Sequence, residues 1–174
     1  MLNVEKSFLL IILIFTILFI FSKFYVNFFD KKATGKKNFL KKYMGIIYIV
    51  FGILKLYDLN KFAEIFSKYD IIGNKFNTYA YLYPFIEIFL GIFLLKDILV
   101  KETLTFTIFL MIISIISVVI SLINGQKLRC GCMGSFFHIP LSYVTLSENL
   151  VMLLMGINHL YPLHFKKLLT MTQF

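Results

Sequence analysis

Five long apolar segments limit what this chain can fold into more than any other feature. They lie at residues 7–24, 43–59, 79–98, 103–123 and 141–160. About 20 helical residues cross the hydrocarbon core of a bilayer, whereas lone strands cannot cross it because their backbone groups would lack partners in lipid. Hydrophobic residues make up 59% of the 174-residue chain, which is more apolar surface than one soluble core of this size can bury. The sequence therefore predicts an all-α fold, a polytopic membrane helix bundle surrounded by the lipid bilayer.

The first segment and the stretch after the second add two further expectations. No small-residue cleavage site follows segment 7–24, and bulky Phe and Tyr residues come next, so we expect an uncleaved helix and not a removed signal peptide. Residues 59–72 carry apolar side chains at helical spacing, with lysine, glutamate and asparagine on the other face. This pattern is typical of an amphipathic helix that lies on the membrane or caps the bundle.

The distribution of basic residues predicts the orientation in the membrane. The loop expected at residues 23–42 contains seven lysines, and positive loops tend to remain on the cytoplasmic side. With that loop inside, eleven of the 18 Lys and Arg residues lie inside and seven outside. We therefore expect a multi-pass protein of the bacterial cytoplasmic membrane, with its N-terminus and residues 124–140 outside and its C-terminus in the cytoplasm. No basic soluble domain is left over to bind nucleic acid.

The sharpest chemical feature is the pair of cysteines at Cys130 and Cys132, which are the only two in the chain and are separated by one glycine. A disulfide ring this small departs from relaxed geometry, so it should be strained and easily reduced. Arg129 lies beside the pair and His138 a few residues later, and positive charge stabilises the reactive thiolate. An outer location in bacteria is oxidising. These features favour a pair that exchanges electrons.

Two other interpretations of the pair remain open. The cysteines could be incidental loop thiols. They could also bind a soft metal such as Cu(I), zinc or mercury, with His138 as a third ligand. Two thiolates alone make an incomplete metal site, so we predict no resident metal.

Charged residues inside the apolar segments form the second feature. Lys55, Glu87 and Glu148 fall within segments 43–59, 79–98 and 141–160. At 1.5 Å per residue, both glutamates would lie roughly 10–12 Å below the outer surface, near the depth of Lys55. Intramembrane charges are costly and often functional. The three residues could meet beneath the cysteine loop, either as a network that holds helices together or as a proton-handling site.

The motifs and their order resemble the DoxX/MauE-type redox-associated membrane proteins. The resemblance covers residues 43–156 and depends on four sequence features, namely Gly52-Ile-Leu-Lys55-Leu-Tyr-Asp58, Tyr83-Pro84-Phe-Ile-Glu87, Cys130-Gly-Cys132-Met-Gly134 and the apolar helix with Asn149. Met133 stands where the family more often has Phe, which is a mild departure.

The resemblance implies a four-helix membrane core that assists disulfide formation or maturation of exported proteins. In the MauE case the implied client is the disulfide-rich small subunit of methylamine dehydrogenase, with a thioredoxin-like partner. The chain would then divide into an extra N-terminal transmembrane helix with a basic cytoplasmic loop (1–42), the four-helix MauE-like domain (43–160) and a short cytoplasmic tail (161–174).

The leading hypothesis is a membrane thiol–disulfide oxidoreductase. Cys130 and Cys132 would exchange with an exported thioredoxin-fold partner through a mixed disulfide. By analogy with other membrane disulfide systems, the candidate electron acceptor is a quinone held among the helices near Glu87 and Glu148. The alternatives are a soft-metal carrier that uses the same cysteines and a non-catalytic membrane protein. The expected supporting residues are Arg129, His138, Lys55, Asp58, Glu87, Glu148 and Asn149.

Overall fold

The fold was analysed in a computed structural model, which describes residues 4–29, 36–124 and 141–160. These residues form seven helices and no strand. The helices are α1 (Val4–Phe29), α2 (Lys36–Tyr57), α3 (Leu59–Tyr69), α4 (Ile71–Lys75), α5 (Asn77–Lys96), α6 (Val100–Ile123) and α7 (Leu141–Leu160). The prediction of an all-α fold is confirmed for this part of the chain.

Helices α5 and α6 are long and apolar enough to cross a membrane. They also expose large apolar side chains such as Phe89 and Phe109 on the outside of the bundle. Exposed apolar surface of this kind marks a contact with lipid or with another protein. The two helices therefore fit the membrane environment that the composition predicts.

Helices α2 and α5 run antiparallel and pack more extensively against each other than any other pair in the described ranges. Their backbones approach closely where Gly45 faces Gly91, since a Cβ atom built on Gly91 would lie 2.7 Å from the Gly45 carbonyl oxygen. Small residues permit this approach between membrane helices. The same contact aligns the C-terminal half of α2 with the N-terminal half of α5.

Helices α6 and α7 form the second antiparallel pair. The side-chain amide of Asn149 donates a hydrogen bond to Ser114 Oγ at 2.7 Å, and Gly156 packs against Ile108 nearer the other end of α6. This alignment brings the start of α7 beside the end of α6. The start of α7, the end of α6, the end of α2 and the start of α5 therefore share one end of the bundle.

Helix α3 caps that shared end with its apolar face. Phe62, Ala63, Phe66 and Tyr69 are buried, as the amphipathic pattern in 59–72 predicts. The helix ends earlier than expected, at Tyr69, because Asp70 terminates it and then caps the short helix α4 with its own carboxylate. A carboxylate that accepts backbone N–H groups stabilises a helix start in this way.

The basic loop predicted at residues 23–42 is too long, because helices occupy both of its ends. Helix α1 continues past Lys23 to Phe29, and α2 begins at Lys36, so the expected boundary between residues 42 and 43 falls inside a helix. Lys41 and Lys42 are buried, and both form ion pairs with Asp97 at the end of α5. The Asp97 carboxylate, which is distant in sequence, offsets the cost of burying the two lysine ammonium groups. It therefore allows Lys41 and Lys42 to lie within the bundle.

Candidate functional site

A buried ion pair between α2 and α5 forms the centre of the candidate site. Lys55 Nζ donates a hydrogen bond to Glu87 Oε1, and each residue is only 3% exposed. The ammonium group also lies over the Tyr83 ring at 5.1 Å and the Phe62 ring at 5.7 Å. Aromatic faces attract a cation most strongly where water is excluded. The pair thus ties α2, α3 and α5 together.

Three further polar residues extend this pair across the bundle. Tyr48 on α2 and Thr107 on α6 are buried, and their hydroxyl groups are neighbours. The Tyr48 hydroxyl also lies within electrostatic range of Glu87 and of the buried Glu148 on α7. The polar cluster, which we define as Lys55, Glu87, Tyr48, Thr107 and Glu148, therefore contains residues from four helices.

The two carboxylates of the cluster have different relations to Lys55. Glu87 contacts it directly. Glu148 lies within electrostatic range of Tyr48, which is why we include it in the cluster. The structure thus brings Lys55 and Glu87 into contact, and it buries Glu148 on α7.

Asp58 and Asn149 lie outside this cluster and have structural contacts. Asp58 is the N-cap of α3, where its Oδ1 accepts a hydrogen bond from the Lys61 backbone N–H at 3.3 Å. Asn149 is buried between α7 and α6, where it bonds Ser114. The first residue fixes the start of the amphipathic helix, and the second fixes the register of α6 against α7.

Asp70 is a buried polar residue that the sequence analysis missed. Its carboxylate accepts hydrogen bonds from Gly73 N at 2.8 Å, Ile72 N at 3.0 Å and Ser117 Oγ at 3.3 Å. Burial raises the pKa of Asp70, and the bonds from Gly73, Ile72 and Ser117 only partly offset that effect. An aspartate directly after an amphipathic segment is a helix-capping signal, but its link to α6 has no local signature.

A cavity of about 250 Å³ opens beside Asp70. It lies between the α3–α4 junction and the end of α6, and Asn124, the last described residue of that region, lines it. Its other lining residues are Lys68, Tyr69, Asp70, Ile71, Asn74, Lys75, Ile120 and Ser121. Basic, acidic, amide, hydroxyl and apolar side chains therefore all line this cavity at the end of the bundle.

Four predicted site residues lie outside the described residues, namely Cys130, Cys132, Arg129 and His138. The chain leaves the described part at Asn124 and re-enters it at Leu141. Both points are at the end of the bundle that α3 caps. Across the described ranges, no group of three His, Cys, Asp or Glu residues is arranged to hold a metal ion.

A comparison with models of known protein families identifies the family of this chain. A family model described as methylamine utilisation protein MauE matches residues 38–162. The chain belongs to the MauE family. The match begins in the first turn of α2 and continues through α7, so it includes the Lys55–Glu87 pair and leaves out α1. Curated proteins and solved structures gave no match.

Membership of the MauE family agrees with the resemblance seen in the sequence motifs. Together with the two apolar helices α5 and α6, it makes this chain a membrane protein of the methylamine-utilisation type. The matched range also includes residues 125–140, so both cysteines lie within the family region.

Proposed function

We propose that this MauE-family protein is a membrane thiol–disulfide redox protein that assists disulfide formation or maturation of exported proteins. Cys130 and Cys132 alternate between a dithiol and a disulfide. In each exchange, a thiolate of one protein attacks the disulfide of the other, a mixed disulfide forms, and the remaining thiol resolves it. The two electrons and two protons that one pair loses are gained by the other. The exchange partner is an exported protein with a thioredoxin fold.

The observation that carries this proposal is the position of the two ends of segment 125–140. Asn124 and Leu141 share one end of the bundle with α3 and Asp70, while the ion pairs of Lys41 and Lys42 lie at the opposite end. A segment held at one end of a membrane bundle is accessible to partners on one side only. The adjacent cysteines thus suit exchange with proteins of a single compartment.

The proposed topology has α2, α5, α6 and α7 as the four-helix membrane domain and α1 as an additional transmembrane helix. The family match that begins at residue 38 supports this division. The lysine-rich end, with Lys41, Lys42, Lys96 and Lys101, faces the cytoplasm under the positive-inside rule. The cysteine segment and the N-terminus then face the outside of a bacterial cytoplasmic membrane, and the C-terminus is cytoplasmic.

The Lys55–Glu87 pair stabilises the half of the bundle at whose end segment 125–140 begins and ends. Glu87 lies ten residues into α5 from Asn77, which places it roughly 15 Å from the outer end of that helix. A buried pair at this depth holds α2 against α5, while α3 closes the end above it.

A second feature supports a quinone as the electron acceptor for reoxidation. A groove of about 450 Å³ lies between α1, α2 and α7, and it is bounded by Ser147, the neighbour of Glu148. Aromatic and apolar walls with few polar groups are typical of sites for small apolar ligands. The lining residues are Ile12, Phe15, Thr16, Phe19, Tyr43, Ser147 and Val151. These residues would hold a ring against α7, and the quinone would accept the two electrons.

Trapping of the mixed disulfide tests the proposal. Cys130→Ser and Cys132→Ser each leave a single cysteine, so the chain has no second thiol that could resolve a mixed disulfide. One of the two variants should therefore accumulate a covalent adduct with an exported thioredoxin-fold protein. Reduction should release the adduct, and the double variant should give none. If neither single variant captures such a partner from whole cells, exchange with an exported protein is wrong.

Labelling of whole cells tests the orientation separately. After mild reduction, a membrane-impermeant thiol reagent should modify Cys130 and Cys132 without lysis. The double Cys→Ser variant provides the blank, because the chain contains no other cysteine. Labelling that requires lysis would place the pair on the cytoplasmic side.

A further inference from the structure

The turn between α5 and α6 places exposed basic and exposed apolar side chains next to each other. Lys96 ends α5 and Lys101 lies in the first turn of α6, and both are exposed. Between them, Ile98 is 40% exposed and Leu99 is 61% exposed. The turn joins the two helices that are long and apolar enough to cross a membrane, so it lies at a membrane surface.

The basic residues of this turn are not neutralised by the carboxylates around them. Both oxygens of Asp97, the acidic residue of the turn, already bind the buried lysines of α2. The next carboxylate, Glu102, is exposed and makes no ion pair in the part of the chain that the structure describes. Lys96 and Lys101 likewise have no ion pair within those ranges. Two ammonium groups at the membrane surface are therefore open to an anion.

The backbone of the turn is strained at its most exposed apolar residue. Leu99 has a φ of 42° and a ψ of 48°, in the left-handed region that residues with a Cβ atom rarely adopt. Strained residues persist where the surrounding structure enforces them, and they cluster at functional sites such as ligand clamps. In water, an exposed leucine gains no burial energy that would offset the strain. Contact with an apolar ligand would bury both Leu99 and Ile98.

The combination of cations and apolar surface selects the class of ligand. Free inorganic phosphate would bind the two ammonium groups but would leave Ile98 and Leu99 exposed. A zwitterionic lipid would cover the apolar side chains but carries no net charge to balance the lysines. A phospholipid with a net negative charge meets both requirements, and basic sites beside membrane helices bind anionic headgroups.

We propose that the α5–α6 turn, residues 96–101, is a binding site for an anionic phospholipid of the adjoining leaflet. The ammonium groups of Lys96 and Lys101 bind the headgroup phosphate, and Ile98 and Leu99 contact the first part of an acyl chain. The site requires only that the turn lie at a bilayer surface. It is therefore independent of the cysteine chemistry and of the direction in which the bundle is inserted.

Quenching of a single tryptophan by brominated lipid tests the proposal. The chain contains no tryptophan, so Leu99→Trp in the full chain places one emitter at the site. The variant is reconstituted in vesicles of equal parts phosphatidylglycerol and phosphatidylcholine, with bromine on the acyl chains of one lipid or of the other. Brominated phosphatidylglycerol should quench several-fold more strongly than brominated phosphatidylcholine, because the anionic lipid is enriched at the turn.

Two matched variants make the comparison specific. Phe76 is 66% exposed at the opposite end of α5 and also follows a lysine, Lys75, so Phe76→Trp should give a ratio of quenching by the two lipids much closer to one. Addition of Lys96→Gln and Lys101→Gln to Leu99→Trp should lower the ratio to that control value. Both lysines are exposed, so their replacement should leave the bundle folded.

Three results would overturn the proposal. Equal quenching of Leu99→Trp by the two lipids would show that the turn does not select an anionic headgroup. The same high ratio in Phe76→Trp, or a ratio that survives removal of both lysines, would show a general attraction by the basic chain. A ratio abolished by inorganic phosphate, but not by chloride at equal ionic strength, would assign the turn to a free anion.

Discussion

Lys55 and Glu87 lie 32 residues apart in the sequence, yet they form a direct ion pair in which both side chains are only 4% exposed. The cost of removing two charges from water is large, and only a close partner with good geometry offsets it. The pair therefore requires α2 and α5 to keep one register. That register also brings Gly45 against Gly91 at the other end of the same interface.

Removal of one partner of this pair should be far more damaging than removal of both. Glu87→Leu or Lys55→Met leaves an uncompensated buried charge, which should cost about 3–5 kcal/mol of unfolding free energy. The double variant Lys55→Met/Glu87→Leu should recover much of that loss. The measurement is denaturant unfolding in detergent micelles.

The exposed pair Glu64–Lys68 provides the matched control for that series. Its side chains are 67% and 53% exposed, and water screens such pairs. Glu64→Leu and Lys68→Met should leave the unfolding midpoint almost unchanged. Single variants of Lys55 and Glu87 that behaved like these surface variants would refute the buried-pair account.

Gly91→Ala should loosen the packing of α2 against α5. The new methyl group would lie 2.7 Å from the Gly45 carbonyl oxygen, a backbone atom that cannot move alone. Overpacking of this kind costs typically about 1–3 kcal/mol. In Gly156→Ala, the nearest atom is a flexible Ile108 side-chain carbon at 3.1 Å, so the loss of thermal stability should be smaller. Equal losses would contradict the backbone contact.

Asp97 should contribute a pH-dependent part of the stability. Burial alone would raise its pKa, but hydrogen bonds and charges from Lys41 and Lys42 outweigh that effect and hold the pKa below its ordinary value. The stabilisation is therefore present above the ordinary pKa of an aspartate and is lost as the pH falls through the lower folded value. Because the Asp97 side chain is 48% exposed, screening reduces the effect.

Asp97→Asn should flatten the acid limb of the plot of unfolding midpoint against pH. Glu102→Gln removes an exposed carboxylate on the next helix and serves as the control. The account of the lysine-rich end fails if the two variants give the same acid limb as the unchanged protein.

Asp70 should show the opposite dependence on pH. Its pKa lies above the ordinary value because of burial, so the folded state binds this proton more tightly than the unfolded state. Its contribution to stability is then fully present below the ordinary pKa and declines as the pH rises through the raised value. Asp70→Asn keeps an oxygen for the Ile72 and Gly73 N–H groups and should be tolerated near neutral pH.

Asp70→Ala removes the cap itself and should cost about 0.5–2 kcal/mol at neutral pH, the usual range for loss of a helix N-cap. We would measure the midpoint of thermal unfolding by circular dichroism at several pH values. Comparison of the two variants separates the loss of the helix cap from the loss of the titratable group. If Asp70→Asn were as harmful as Asp70→Ala, the ionised form of the carboxylate would be the stabilising one and the interpretation would be wrong.

The helices could be predicted from the sequence because length and apolar content act locally. Segment 141–160 coincides with α7, and segments 79–98 and 103–123 match α5 and α6 to within three residues. The start of α2 could not be predicted in this way, because Lys41 and Lys42 look like loop residues until Asp97 is brought to them. Ion pairs between distant residues have no local signature.

The candidate site could be predicted only in part from the sequence. The depth estimate brought Lys55 and Glu87 to the same level, and the structure places them in contact. Tyr48 and Thr107 carry no sequence motif, and only the fold brings their hydroxyl groups, on two different helices, close to each other. The functional roles of Cys130 and Cys132 stay predictions, since these residues lie outside the described ranges.

The redox state of the cysteine pair tests the central claim most directly. Growing cells are quenched with acid, free thiols are alkylated with a reagent that adds mass, and the fractions of dithiol and disulfide are measured on the full-length protein. The account predicts that both forms are present and that the ratio shifts toward one form when the exported thioredoxin-fold partner is deleted. A pair that stays entirely reduced with and without that partner, while exported disulfide proteins mature normally in the double Cys→Ser variant, would contradict it.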